Sequence, residues 1–273
     1  MSAEIQTHIT HLSFSRLTEL AHSPLALKQY IEGGKTTTAA MTAGSLLDCL
    51  LFEPHRLEER FFIMPENAPK KPTSAQLNAK KPSAESLEQM AQWDEIMQAV
   101  NGRDIIKAEQ LAEAQFLDTC IRQNSTVAFH GLLNPDFFQF QVPVSFKYGG
   151  FDHKGIKDAD GNRRDGQKVI WDLKRMGSRS GEQLVRSQIR NNLYDLQSAI
   201  YCHPYDIKGE LVKYYVIAVD NDGFVTPFEI TRDAREKARI LWNKLIKAAA
   251  RCNFEGLDMG CEFWADQDGF FYF

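Results

Sequence analysis

The chain has 273 residues, a net charge of −4, and 43% hydrophobic and 11% aromatic side chains. That is enough apolar material for one large α/β domain with a sizeable core, while the overall acidity argues against a histone-like protein that coats nucleic acid by bulk charge. Five cysteines (Cys49, Cys120, Cys202, Cys252 and Cys261) include no CxxC pair; this argues against a disulfide framework or a zinc ribbon and fits reduced, buried thiols.

Residues 13–32 read as a helix capped by Ser13 or Ser15. Ser23 and Pro24 should break it and restart it, since proline suits a first helical turn. Residues 41–52, MTAGSLLDCLLF, predict a buried helix in which Asp48 is anomalous, because a carboxylate in apolar surroundings needs a partner or a metal. Gly44 in the same helix suggests a close approach to another element. Residues 65–86 hold four prolines and two lysine pairs and read as a flexible arm. Helical patterns return at 87–100 and 107–123, separated by Asn101 and Gly102.

From about Gln139 the period changes to that of strands. QFQVPVSF, HKGIKD and KVIWDLKR predict three strands, with the polar stretch ADGNRRDGQ as the turn between the last two. An amphipathic helix is expected over 182–203, then strands KYYVIAVD and FVTPFEI joined by a turn at Asn221, Asp222 and Gly223. Thr231 should cap a final helix over 232–251, and the aromatic C-terminal tail is expected to pack back on the body. The expected fold is α/β, with a mixed sheet flanked by helices. It is read as a single domain over 1–273, with a mainly helical part at 1–130 and the sheet and its helices at 137–251.

The candidate chemistry lies in the third strand. Asp172 and Lys174 are two residues apart, so on a strand they project from one face. If the strand bearing Asp158 pairs with it, two carboxylates and one ammonium converge at a sheet edge or fork. Such a group suits phosphodiester hydrolysis: carboxylates hold Mg²⁺ through oxygen, and the metal polarises the phosphate and its bound water. A lysine there can orient or deprotonate that water, or neutralise charge in the transition state. By itself a D-x-K pair reads as a surface ion pair.

Further segments give this pair a context. HLSFSRLTELAHSPLALKQYIEG, AGSLLDCLLFEP, KGIKD, IWDLK and LYDLQSAIY occur in that order along residues 9–201. They resemble the N-terminal segment, the buried helix ending in E-P, the KG-x-x-D strand, the (D/E)-x-K strand and the glutamine–tyrosine helix of RecE-like phage and prophage exonucleases. The preceding IIKAEQLAEAQFLDTCIRQN is similar to their connecting helix, and the similarity runs from about residue 9 to 245.

The resemblance implies a PD-(D/E)XK nuclease core and Mg²⁺- or Mn²⁺-dependent digestion of double-stranded DNA ends. It implies metal ligation by Asp158, Asp172 and the Leu173 carbonyl, with Lys174 at the attacking water. Asp48 stands where the family has histidine and is expected as a further ligand, because aspartate oxygen also suits Mg²⁺. Gln139 or Gln141 stands where many relatives have an acid, which weakens the case for a second metal. Arg175, Arg179, Arg186, Arg190, Gln197 and Tyr201 are expected at the DNA; residues 163–190 hold eight bases against three acids. A ring-shaped homo-oligomer, an annealing protein as recombination partner, and a phage or prophage setting in bacterial cytoplasm are further implications.

No leader pattern or long apolar run is evident, so no membrane role is expected. An iron–sulfur cluster is not expected, since the late cysteines lack the required spacing. Alternatives are a structure-specific or restriction-type endonuclease, and a catalytically inactive DNA-binding or inhibitory protein on the same scaffold.

Overall fold

The computed structural model describes residues 9–33, 37–177 and 182–252. It divides into two compact units: the first takes in Met1–Thr37 and Ile121–Phe273, the second Thr38–Cys120.

The first unit opens with α1 (Phe14–His22) and α2 (Pro24–Gly33). Ser13 caps α1 by accepting the Arg16 N–H, and Ser23 adopts an extended backbone that separates the two helices, as its proline neighbour predicts. The second unit holds α3 (Ala39–Phe52), α4 (Leu57–Arg60), β1 (Phe61–Ile63), α5 (Ser74–Leu77), α6 (Ala84–Val100) and β2 (Asp104–Ile106). β1 and β2 pair in parallel, and Leu46, Cys49, Phe61, Ile106 and Ala114 form a small core. Strands of three residues carry no readable period, which is why this pair is absent from the sequence reading. A methyl at Gly44 would meet nothing within 4 Å, so close packing does not explain that glycine.

After α7 (Ala108–Gln123) and α8 (Ser125–His130) come β3 (Phe138–Tyr148), β4 (Phe151–Asn162) and β5 (Lys168–Arg175). Next are α9 (Glu182–Asn191), α10 (Tyr194–Asp206), β6 (Lys213–Val219), β7 (Val225–Ile230) and α11 (Arg232–Arg251). The five strands order as β3-β4-β5-β6-β7; the β5–β6 pair is parallel and the others antiparallel. The central sheet is therefore mixed and flanked by helices, as expected. β4 runs on through all of ADGN, so the turn is shorter than the sequence suggests and begins at Arg163. The helix expected over 182–203 is two helices, because Leu193 takes a left-handed backbone (φ 55°) between them.

The main core joins one face of the sheet, through Ile170, Tyr214 and Val216, to α1, α10 and α11, through Leu17, Leu20, Ile200, Trp242 and Leu245. On the opposite face Trp171 is fully buried, donates its indole N–H to the Leu132 carbonyl at 3.2 Å and stacks edge-on against Phe140. Among the described residues no helix is long and apolar enough to cross a membrane. The C-terminal tail lies outside the described residues.

Candidate active site

β4 and β5 pair from Asn162↔Lys168 to Ala159↔Trp171 and then part. The next rung would set Asp158 opposite Asp172. Beyond the split the vacated side of β4 is taken by the N-terminal segment: the Leu12 N–H donates to the Asp152 carbonyl at 2.8 Å, and the Lys154 N–H donates to the Leu12 carbonyl at 2.9 Å. On the other side of β4, the β3 ladder skips Gln141, whose backbone is left-handed (φ 51°), where it would face Asp158. A residue with a side chain is costly in that conformation inside a strand, and such strain gathers where geometry matters.

The fork brings the predicted residues together. Asp158 accepts the Leu173 backbone N–H through Oδ2 at 2.8 Å. Asp172 is 2% exposed and forms an ion pair with Lys174 on the same face of β5. Burial alone would lower the Lys174 pKa; the charges of Asp172 and Asp158 outweigh it and hold the ammonium protonated well above its usual range.

α10 closes this face. Gln197 donates its amide to Asp172 Oδ1 at 3.2 Å, while its own Oε1 is buried with no hydrogen-bond partner. Tyr201, one turn on, lies over Gly155 so closely that a methyl there would sit 2.7 Å from its ring; glycine in the KGIKD strand is thus a packing requirement. Burial, then the Asp172 charge, pushes the Tyr201 hydroxyl up to about 12. Gln197 and Tyr201 are both 5% exposed. Tyr194, not singled out in the sequence, places its ring 4.6 Å from the Lys174 ammonium. Its spacing of three from Gln197 is the signal that could have found it.

A second charged cluster went unread. Lys157 and Lys168 both pair with Asp160, the latter at 2.6 Å, and Tyr205 donates to the same carboxylate. Burial raises the Asp160 pKa, but these three partners outweigh it and hold the carboxyl below its usual range.

Several bases of the predicted stretch are engaged. Arg163 pairs with Asp165, Lys168 with Asp160, Lys174 with Asp172 and Arg186 with Glu182. Arg175 reaches Asn221 at 3.2 Å. Arg186 and Arg190 line a cleft of about 370 Å³ together with Asp195, Phe228 and Glu229. Arg179 lies outside the described residues. Asp48 sits half-buried on α3, in the second unit.

Two carboxylates on a strand fork, with the Leu173 peptide between them, form an oxygen donor set that fits a hard divalent cation such as Mg²⁺. The buried, unpartnered Gln197 oxygen beside Asp172 fits the same preference. Among the described residues no group of three or more His, Cys, Asp or Glu side chains is arranged to hold a metal. Water and phosphate oxygens would complete the shell, which is the habit of Mg²⁺.

Fold and site together define a mixed α/β protein with a carboxylate–lysine centre at a strand fork. No family model matches the chain, and no curated protein matches it. Among solved structures, a protein from Eubacterium rectale named "Putative exonuclease" superposes with a TM-score of 0.59 at 15% identity, covering 93% of this chain and 85% of that one. The two share a fold. A second solved structure, of SSO0001, gives a TM-score of 0.31 at 16% identity over 80% of this chain and 88% of that one, too low to support any argument.

Proposed function

We propose that the protein is a metal-dependent DNA exonuclease of the PD-(D/E)XK type that resects double-stranded ends. The observation behind this reading is the convergence of Asp158, Asp172 and Lys174 where β4 and β5 part, beneath Gln197 of α10. The name borne by the Eubacterium rectale neighbour agrees with it.

When bound, Mg²⁺ would polarise the scissile phosphate and acidify the attacking water. Asp158 and Asp172 would hold the ion, joined by the Leu173 carbonyl. Gln197 fixes the rotamer of Asp172 through its amide. Lys174, beside the two carboxylates, is placed to position the attacking oxygen and to offset negative charge at phosphorus. Water adds to phosphorus and gives up a proton to solvent while the bond to the 3′ oxygen breaks; that oxygen takes a proton and leaves as a hydroxyl, and the other fragment keeps a 5′-phosphate, as the family resemblance implies. Arg190 is exposed near the start of α10 and suits sequence-independent contact with the backbone. A ring-shaped homo-oligomer that encloses the duplex, and service to a phage-type annealing protein, complete the proposal.

The test is digestion of linear and closed-circular duplex DNA with Mg²⁺, Mn²⁺ or EDTA, by wild type, Asp172→Ala and Lys174→Ala. Loss of linear DNA alone, dependent on metal and abolished in both variants, is the expected result. Cutting of the circle would replace it with an endonuclease reading. Binding without cleavage under every condition would mean an inactive DNA-binding protein.

A further inference from the structure

The segment 65–86 reads as a flexible arm, yet it is pinned. Thr73 and Gln76 form a reciprocal capping box at the start of α5. Gln76 donates its amide to Gln89 Oε1 at 2.9 Å, and Gln89 donates its own amide to the Lys70 carbonyl at 2.7 Å. Ala68 donates to the Pro65 carbonyl at 3.0 Å, closing the turn before the lysines. Two adjacent lysines are thereby mounted on an ordered loop beside α6.

That loop forms one wall of a groove of about 590 Å³ within the second unit. Its apolar lining includes Pro65, Pro69 and the half-buried Trp93 of α6. Its charged lining is Lys70, Lys71 and Lys107 against Glu66 and Glu109. Among the described residues none of the three lysines has an ion-pair partner, and all three are exposed. Glu109 stands in the first turn of α7, where a carboxylate complements the helix dipole. The second unit as a whole has thirteen acids and eight bases, whereas this groove is lined by three lysines and two glutamates.

An aromatic ring in a trough rimmed by unpaired lysines is what a single nucleic-acid strand needs: a face on which a base stacks, and cations at its phosphates. A duplex hides its base faces and would leave the tryptophan unused, and the acidic side chains of a peptide offer no ring to stack. We infer that this groove binds single-stranded nucleic acid. Mounting the lysines in advance lowers the ordering cost of binding. The inference rests on the nuclease reading only in preferring a nucleic-acid strand to another polyanion.

The experiment is fluorescence anisotropy of a labelled twelve-nucleotide oligothymidine, with the full chain in EDTA so that no cleavage occurs, at several salt concentrations. Trp93→Leu should weaken binding about tenfold with the salt slope unchanged. Lys70→Glu combined with Lys71→Glu should weaken it at least as much and lower the slope by about 1.4, two phosphates' worth for a single strand. These lysines are exposed, so that variant should fold even if the tryptophan variant does not. Wild-type affinity in the lysine variant, or displacement of the strand by polyglutamate as readily as by unlabelled oligothymidine, would overturn the inference. So would a folded Trp93→Leu protein that binds as wild type does. Groove-dependent binding by a protein that never cleaves DNA in Mg²⁺ would leave this inference standing and remove the nuclease reading.

Discussion

Asp158 Oδ2 accepts the Leu173 backbone N–H at 2.8 Å across the point where β4 and β5 separate. The residue proposed to hold metal therefore also ties the two arms of the fork. Asp158→Asn keeps an oxygen that can accept this bond, whereas Asp158→Ala leaves a buried donor unsatisfied. The alanine variant should lose about 1–3 kcal/mol in urea unfolding and the asparagine variant clearly less, while both lose cleavage. Equal stability of the two would refute the tie.

Gly155→Ala would place a methyl 2.7 Å from the Tyr201 ring and 3.0 Å from its hydroxyl. The ring is buried and cannot swing aside, so a loss of roughly 1–3 kcal/mol is expected. Combining Gly155→Ala with Tyr201→Leu should recover much of that loss. A double-mutant cycle by urea unfolding measures the coupling, and additive losses would show that the contact does not matter.

The Asp160 cluster predicts an order of effects. Asp160→Asn strands two lysines, Lys157 almost fully buried, and should cost about 3–5 kcal/mol. Lys157→Met leaves Asp160 its bond to Lys168 and should cost less, about 2 kcal/mol. Thermal and urea unfolding of the two variants checks the order; the reverse order would contradict it.

His153 is fully buried, stacked on Phe146 with its ring 5.1 Å away, and burial pushes its pKa down to about 4 from 6.5. The unfolded chain therefore binds this proton more readily than the folded one. Stability is complete above pH 6.5 and falls as the pH drops from there to 4, by up to roughly 3 kcal/mol. Urea unfolding at pH 7 and pH 4.5 should show a smaller difference in His153→Gln than in wild type. An unchanged difference would place the acid sensitivity elsewhere.

The central face of the site was legible because strand alternation alone puts Asp172 and Lys174 side by side. The strands of the central sheet and the Thr231 cap followed from period and capping chemistry in the same way. The sequence left a sheet edge and a fork as alternatives, since the fork depends on Leu12 replacing β5 beside β4, a pairing between distant parts of the chain. The break at Leu193 was missed because leucine gives no local sign of a left-handed backbone. The Asp160 cluster joins Lys157, Lys168 and Tyr205 from three elements, and no spacing announces it. Helix α5 is different: Thr73 and Gln76 have capping-box spacing, but they lie among prolines and lysines whose composition is that of a loop.

The pairing of Leu12 with β4 also bears on how the chain is made. The segment that completes the fork and its strand partner are separated along the chain by the whole second unit, which is synthesised between them. The contact is therefore long-range and slow to form. Until it forms, β4 presents an unpaired edge at the fork, and nascent or refolding chains are exposed there to pairing with one another. Refolding yield should fall with protein concentration most steeply in variants that weaken the N-terminal segment, even where the finished proteins are equally stable.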